Sequence, residues 1–437
     1  MTGPALPEVR HPPQAVIAAV AAILAVPVLW RLASLPDDSP DLTAVWLAGE
    51  FLSQGRPDLV YPRDTQYFTM LAPPEWFERM AALGYRGDVF PFLYPPLWAW
   101  VAGQLAQVTD LAALRFWAGW LNPLLLALCP LLAWRIAVPV IPPFAAVLLG
   151  IAFFALTNLG IIALLQNQPQ ILVSFLTLLA IERSECGAPR AAGIALAVAA
   201  AIKLYPALVA LVWLISGRRK ETAAFALVGG SLAVLSVVLA GWPLHAEFLR
   251  TLRVIGATAM VTNLSFGLDG LVGVLFLSDA AVFVRSPARD PALGLLSGWA
   301  VVPKPFAVTW LLALLQIAVG VLVARALRRT EGRNARAFLW AASLTFLSYT
   351  APVGWAYYYI APAAFLPLLF DRMRPVAAVG VVLLIAIPVS PWVLPLVSPY
   401  MPIFIRPQLL GALVMPEMGA LFLHLWWSGP GRTRGPA

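Results

Sequence analysis

Apolar runs of helix-spanning length recur along this chain, and short arginine-rich segments separate them. About 20 apolar residues are needed to cross the hydrocarbon of a bilayer as an α-helix. Inside hydrocarbon the backbone must satisfy its own hydrogen bonds, which restricts the options to helices or closed barrels. Twelve runs read as spans: 14–32, 112–134, 139–157, 160–181, 191–202, 205–216, 222–241, 306–324, 337–351, 355–370, 376–395 and 410–427. A further run, 92–108, is short and rich in Pro and Trp (PFLYPPLWAW) and reads as a juxtamembrane helix. Of 437 residues, 61% are hydrophobic and only 11% charged, whereas soluble domains are about a quarter charged. So few charges cannot cover a soluble globule of this size. That excludes a cytosolic enzyme, a disordered chain and a nucleic-acid binder. The expected fold is an all-α polytopic membrane protein, a single integral membrane domain over 1–437. The first run is too long for a signal-peptide core and shows no small-residue cleavage site, so it reads as a retained span.

Charge sets the expected orientation. The formal net charge is +8, from 29 Lys and Arg against 21 Asp and Glu. With the N-terminus inside and 92–108 not crossing, every short basic loop faces the cytoplasm: Arg135, Arg183 with Arg190, Arg218 to Lys220, the cluster from Arg325 to Arg336, Arg372 with Arg374, and Arg432 with Arg434. This satisfies the positive-inside rule, and a crossing at 92–108 would reverse every loop after it. Three segments then lie outside: 33–111, which holds Asp37, Asp38, Asp41, Glu50, Asp58, Asp64, Glu75, Glu78 and Asp88; 242–305, with its own apolar piece at 267–277; and 396–409. An outer loop as long and as acidic as the first exceeds what a connector needs. The two halves show no matched hydropathy, which counts against inverted repeats. Cys129 lies in an apolar run and Cys186 in a charged loop, so no disulfide is expected. No Cys or His pattern suggests a metal, and no cofactor is expected.

The polar outliers of distant segments fall on the outer face. In SPDLTAVWLAGEFLSQG, Ser39 can cap a helix, Pro40 suits its first position and Asp41 its first turn. Asp41 is a candidate general base, which requires an ionised carboxylate within reach of a hydroxyl, or simply a helix-dipole partner. Tyr94, in FLYPPLWAW, lines the boundary or only anchors there. In LLQNQPQILVSFLTLL, Gln166, Asn167, Gln168 and Gln170 are costly in hydrocarbon unless they face protein, water or ligand; they can bind sugar hydroxyls or join helices. In AAIKLYPALV, Lys203 is placed at the outer tip of a hairpin of two half-length runs, where it can hold a phosphate or snorkel. Arg250 and Arg253 share a helix face and precede VTNLSFGLDG, with Asn263 and Asp269. Trp355, Tyr357, Tyr358 and Tyr359 (GWAYYYIAP) can wall a sugar or prenyl chain, or belong to the aromatic belt. Arg406 faces the same side.

Taken in order, DLTAVWLAGEFLSQGRPDLVY, FLYPPL, QNQPQILVSFLTLLA, AAIKLYPALVAL and TNLSF resemble the polyprenol-phosphate-mannose-dependent enzymes of glycosyltransferase family 87, within the C-type membrane glycosyltransferase superfold. The resemblance covers about the first 270 residues; the remainder matches only in hydropathy. It implies Asp41 as catalytic base and Lys203 with Pro206 near the donor phosphate. By residue chemistry alone, Arg250, Arg253 and Arg406 are candidate further phosphate ligands, with solvated surface the other reading of Arg250 and Arg253. Tyr94, Asn167, Gln168, Gln170, Asn263, Tyr357 and Tyr358 would hold sugar or acceptor. Where the family has Gly-Gln-x-Asn, this chain has NQPQ, and tyrosines stand where several relatives have a histidine. The implied partners are a polyprenyl-phosphate sugar donor, mannose favoured, a lipid or glycan acceptor, and membrane lipids, with no nucleic acid. The implied location is the inner (plasma) membrane, with the site on the periplasmic or extracellular face. A transporter or flippase of lipid-linked saccharide is the rival class, and a polymerase or ligase using diphosphate-linked donors is a third. A transporter needs polar groups aligned through the full bilayer, and the inner half looks nearly free of them.

Overall fold

A computed structural model describes residues 12–33, 39–85, 89–262, 264–285, 298–393, 396 and 406–429. Helices dominate. The N-terminal half comprises α1 (Pro12–Ala33), α2 (Pro40–Ser53), α3 (Pro74–Ala82), α4 (Pro96–Ala106), α5 (Leu111–Ala137), α6 (Pro143–Leu156), α7 (Asn158–Leu165), α8 (Gln170–Glu185), α9 (Pro189–Ile202) and α10 (Ala207–Ser216). After these come α11 (Arg219–Ala240), α12 (Trp242–Gly256), α13 (Leu268–Phe276), α14 (Phe306–Arg329), α15 (Arg333–Thr350), the single turn α16 (Ile360–Ala363), α17 (Pro375–Ala386) and α18 (Arg406–Ser428).

This is a mainly helical membrane protein. Among the described residues, four helices are long and apolar enough to cross a bilayer: α5, α11, α14 and the Leu410–Ser428 stretch of α18. The pair α6 and α7, bent by 72° at Thr157, makes a fifth if it is one broken span. The structure therefore does not contain twelve long helices. The run 160–181 is split by the turn at Gln166–Pro169, where Pro169 cannot continue α7. The run 355–370, with Pro362 and Pro367, folds into 3-10 turns around α16. The runs 191–202 and 205–216 are short helices that meet at Lys203. α4, at 11 residues, rises roughly 16 Å at 1.5 Å per residue and is too short to span. α11 and α14 have almost none of their apolar surface buried against protein, with Leu227 72% and Ile317 64% exposed. In water such faces would be unstable; they are the surfaces that lipid covers.

The structure departs from an all-α fold in the second outer segment. There β1 (Thr258–Val261), β2 (Val282–Arg285) and β3 (Gly298–Pro303) form an antiparallel sheet in the order β1-β3-β2. The apolar piece 267–277 becomes α13, which packs on β1 rather than standing alone. A buried ion pair, Lys304 Nζ to Asp269 Oδ2 at 2.6 Å, closes this unit.

In the segment expected to be the first outer one, Trp76, Phe92, Tyr61, Leu59 and the inner face of α2 form a core shared with Val173, Ile202, Leu244 and Phe248 of α8, α9 and α12. The Trp76 indole donates to the Leu59 carbonyl at 2.9 Å. α2 and α4 pack closely because both present glycine: a Cβ on Gly49 would strike the backbone of Ala102 and Gly103. Ala48 and Gly49 thus serve contact with α4. The two outer segments are joined as well. The Arg250 guanidinium donates to the carbonyls of Asp64 and Pro62, and the Phe68 N–H donates to Thr258 Oγ1 at 2.9 Å.

At the opposite end of α8, Arg135, Arg183, Arg218, Arg333 and Arg336 of the basic loops come together; Arg432 and Arg434 lie outside the described residues. Buried Glu182 accepts from Arg135 at 2.7 Å and from Arg183. Buried Glu185 accepts from Arg218 Nη2 (2.6 Å), Arg336 Nε (2.7 Å) and the Trp340 indole (3.1 Å). These bonds tie α8 to α11 and α15. Breaking a buried ion pair on one side costs about 3–5 kcal/mol, because the partner charges stay unmatched. Glu185→Ala is therefore expected to lower the melting temperature of the detergent-solubilised protein markedly. Arg56→Ala, which removes an exposed pair with Asp58, is expected to change it little. Equal melting temperatures for the two variants would refute this ranking.

Candidate active site

α2 carries Asp41 in its first turn because Pro40 fixes the helix start. Ser39 does not cap the helix as expected. It adopts a left-handed backbone (φ 40°), and its hydroxyl accepts from Asn167 Nδ2 at 2.8 Å. Asn167 is itself left-handed (φ 45°), and its Oδ1 accepts from Asn122 Nδ2 at 3.1 Å. The Leu42 N–H reaches the Gln166 carbonyl at 3.4 Å. The start of the Asp41 helix is thereby attached to the amide turn that separates α7 from α8.

Four further segments converge on Asp41. Gln168 reaches it with a hydrogen bond from the turn. Tyr94, just before α4, donates its hydroxyl to Gln168 Oε1 at 2.7 Å. Lys203, at the break between α9 and α10, faces Asp41 electrostatically. Its ammonium lies 5.3 Å from the Tyr94 ring, 5.4 Å from Tyr357 and 4.9 Å from Tyr358, within cation–π range. The result is a lysine held among three tyrosines beside one acid. Burial pushes the Asp41 carboxyl above the ordinary carboxylate range, against the opposing pull of Lys203 and the Gln168 hydrogen bond. Burial likewise depresses the Lys203 ammonium, and Asp41 works against that shift. Asp41 Oδ2 is cut off from solvent and has no hydrogen-bond partner.

A second layer supports the tyrosines. Gln170, fully buried, donates to Tyr205 Oη at 2.6 Å and Ser174 Oγ at 3.0 Å, leaving its Oε1 unpartnered. Tyr205 stacks on Tyr358 at 5.9 Å. The TNLSF segment lies against the late aromatic run through Phe266 N–H to Gly354 O and Ala356 N–H to Leu264 O, both 2.8 Å.

Of the expected site residues, the structure assembles Asp41, Tyr94, Gln168, Gln170, Lys203, Tyr357 and Tyr358 around one point. Asn167 is adjacent, but both ends of its amide are engaged by protein, so it fixes the backbone and does not face a ligand. Arg250 is bound to Glu247 and to first-segment carbonyls, which makes it a joint between the outer segments. Arg253 is exposed in the last turn of α12. Arg406 opens α18, and its side chain lies outside the described residues, as does Asn263. Sequence reasoning missed Tyr205, Asn122 and Arg115. Tyr205 stands two residues after Lys203, and Asn122 is a lone amide before Pro123 in an apolar helix. Arg115 donates to Thr43 Oγ1 at 3.1 Å and lies over the Tyr85 ring. Among the described residues no group of three or more His, Cys, Asp or Glu side chains is placed to hold a metal.

The site thus brings an acid with an unpartnered oxygen beside a cation held among three tyrosines, in a helical membrane protein. A family model described as glycosyltransferase family 87 matches residues 92–348, so the chain belongs to that family and is a membrane glycosyltransferase. The matched stretch starts later and reaches further than the resemblance read from motifs. It contains Tyr94, the 166–170 turn and Lys203, while Asp41, Tyr357 and Tyr358 lie outside it. No curated protein matches the chain.

Proposed function

We propose that the protein transfers a hexose, with mannose favoured, from a polyprenyl-phosphate donor to a hydroxyl of a lipid or glycan acceptor. The reaction would run at the extracytoplasmic face of the cell's inner (plasma) membrane, with the arginine-rich end of the bundle in the cytoplasm. Asp41 takes the proton of the acceptor hydroxyl as its oxygen bonds to the anomeric carbon. The bond from that carbon to the phosphate oxygen breaks, and polyprenyl phosphate leaves with the electron pair. Lys203 stabilises the charge that grows on the departing phosphate. A single direct displacement inverts the anomeric centre.

One observation supports this reading: Asp41 keeps an unpartnered, desolvated oxygen beside Lys203, which sets a candidate base next to a candidate phosphate-binding cation. The test is to incubate purified protein with a panel of prenyl-phosphate sugars and extracted membrane lipids and to weigh the products. A lipid gaining one hexose mass only from the prenyl-phosphate-mannose sample is expected. Transfer from nucleotide sugars alone would reject the proposal.

A further inference from the structure

The carboxamide of Gln168 stands between Asp41 and the tyrosines, and its orientation is fixed by its neighbours. Amide oxygen and nitrogen have similar scattering and shape, so only partners distinguish them. The backbone N–H of Gln170 is a pure donor, and it points at Gln168 Oε1 from 3.3 Å. The Tyr94 hydroxyl donates to the same atom at 2.7 Å. With Oε1 taken by these two donors, the Nε2 protons are left for another partner, and the Gln168 side chain lies within hydrogen-bond reach of Asp41. The turn carrying Gln168 is in turn attached to the Asp41 helix through Leu42 and Gln166 and through Ser39, Asn167 and Asn122.

We propose that Gln168 is a positioning residue for the transfer: it binds one oxygen of the Asp41 carboxylate and leaves Oδ2 directed at the acceptor. This rests on Asp41 being the base. The role differs from that of a sugar ligand, because the Gln168 amide is already engaged by protein on both sides. A donor hydrogen bond favours the ionised carboxylate, and the general base must be ionised to work. Removing the bond should thus move the acid limb of the kcat/KM profile to higher pH. The other titratable groups facing Asp41 are Lys203, Tyr94, Tyr357 and Tyr358; all four are retained in the variant below.

The experiment measures pH profiles of transfer from synthetic prenyl-phosphate-mannose by the full-length protein, wild type against Gln168→Met. The expected result is a kcat lower by about 10–100-fold, the range set by a hydrogen bond to a charged group, with the acid limb displaced upward and donor KM changed by less than about threefold. Tyr94→Phe keeps the ring beside Lys203 and removes only the hydroxyl that turns the amide, so a smaller displacement of the same sign is expected. It is the informative variant if Gln168→Met does not fold. A raised donor KM with the acid limb unmoved would make Gln168 a ligand contact and overturn the inference. So would a loss equal at every pH. Asp41→Asn run in parallel separates the two readings: if it stays active, the choice of base is wrong, whereas if it is inactive while the Gln168 profile does not move, only the positioning role is wrong.

Discussion

Asp41→Asn is expected to reduce kcat roughly 10²–10⁴-fold, the usual contribution of a positioned general base. The substitution preserves shape and can still bond to Gln168, but its amide takes no proton. The oxygen at stake has no hydrogen-bond partner within the protein, so the variant breaks no internal hydrogen bond, but it removes the countercharge that faces Lys203, and the comparison is therefore made on kcat and its pH profile. In the wild-type protein, activity should fall as pH drops through the raised Asp41 value, since protonation removes the base; burial places that fall above the ordinary carboxylate range. The Asn variant should show a low rate with that acid limb gone. Transfer at the wild-type rate, or a retained acid limb, would remove Asp41 from the chemistry.

Lys203→Met should be the second severe lesion, on the order of 10²–10³-fold in kcat if it deletes one stabiliser of developing charge. Methionine fills the space among the three tyrosines, so a large loss would reflect charge and not packing. Asp41 would also lose its countercharge, and the acid limb should move upward, in the same direction as for Gln168→Met but accompanied by weaker donor binding. That difference separates a cation that meets the phosphate from an amide that meets the base. If Lys203→Met binds and turns over prenyl-phosphate-mannose normally, the phosphate is held elsewhere.

Much of this arrangement was legible before any coordinates because its parts break local rules. An acid behind Ser-Pro, four amides around Pro169, and a lysine between two half-length apolar runs are all costly unless they find partners, and they find one another. Four features were not legible. Helix length was misjudged at 160–181 and 355–370, because hydropathy averages over a turn or a pair of prolines that the backbone cannot ignore. The sheet of the second outer segment was missed because its strands are four to six residues long and lack a sustained alternation. The engagement of Arg250 was not legible for another reason. Spacing shows that Arg250 and Arg253 share a face, but it does not show that Arg250 is bound by carbonyls nearly two hundred residues away. Ser39 satisfied the helix-capping preference, yet its hydroxyl is bound by Asn167.

The two short helices that meet at Lys203 have a consequence for the surrounding lipid. α9 has 14 residues and α10 has 10, so at 1.5 Å per residue they climb about 21 and 15 Å from their arginine-rich ends. A hydrocarbon layer of about 30 Å is thicker than either. On the proposed function, with the arginine-rich ends at the cytoplasmic headgroups, the ammonium would sit below the outer headgroup plane, and a tethered anion would meet it only where its headgroup sinks or the leaflet thins. Acyl-chain length then becomes a variable of turnover through thickness mismatch: shorter-chain lipids bring the donor's phosphate down to the lysine, and longer-chain lipids hold it away.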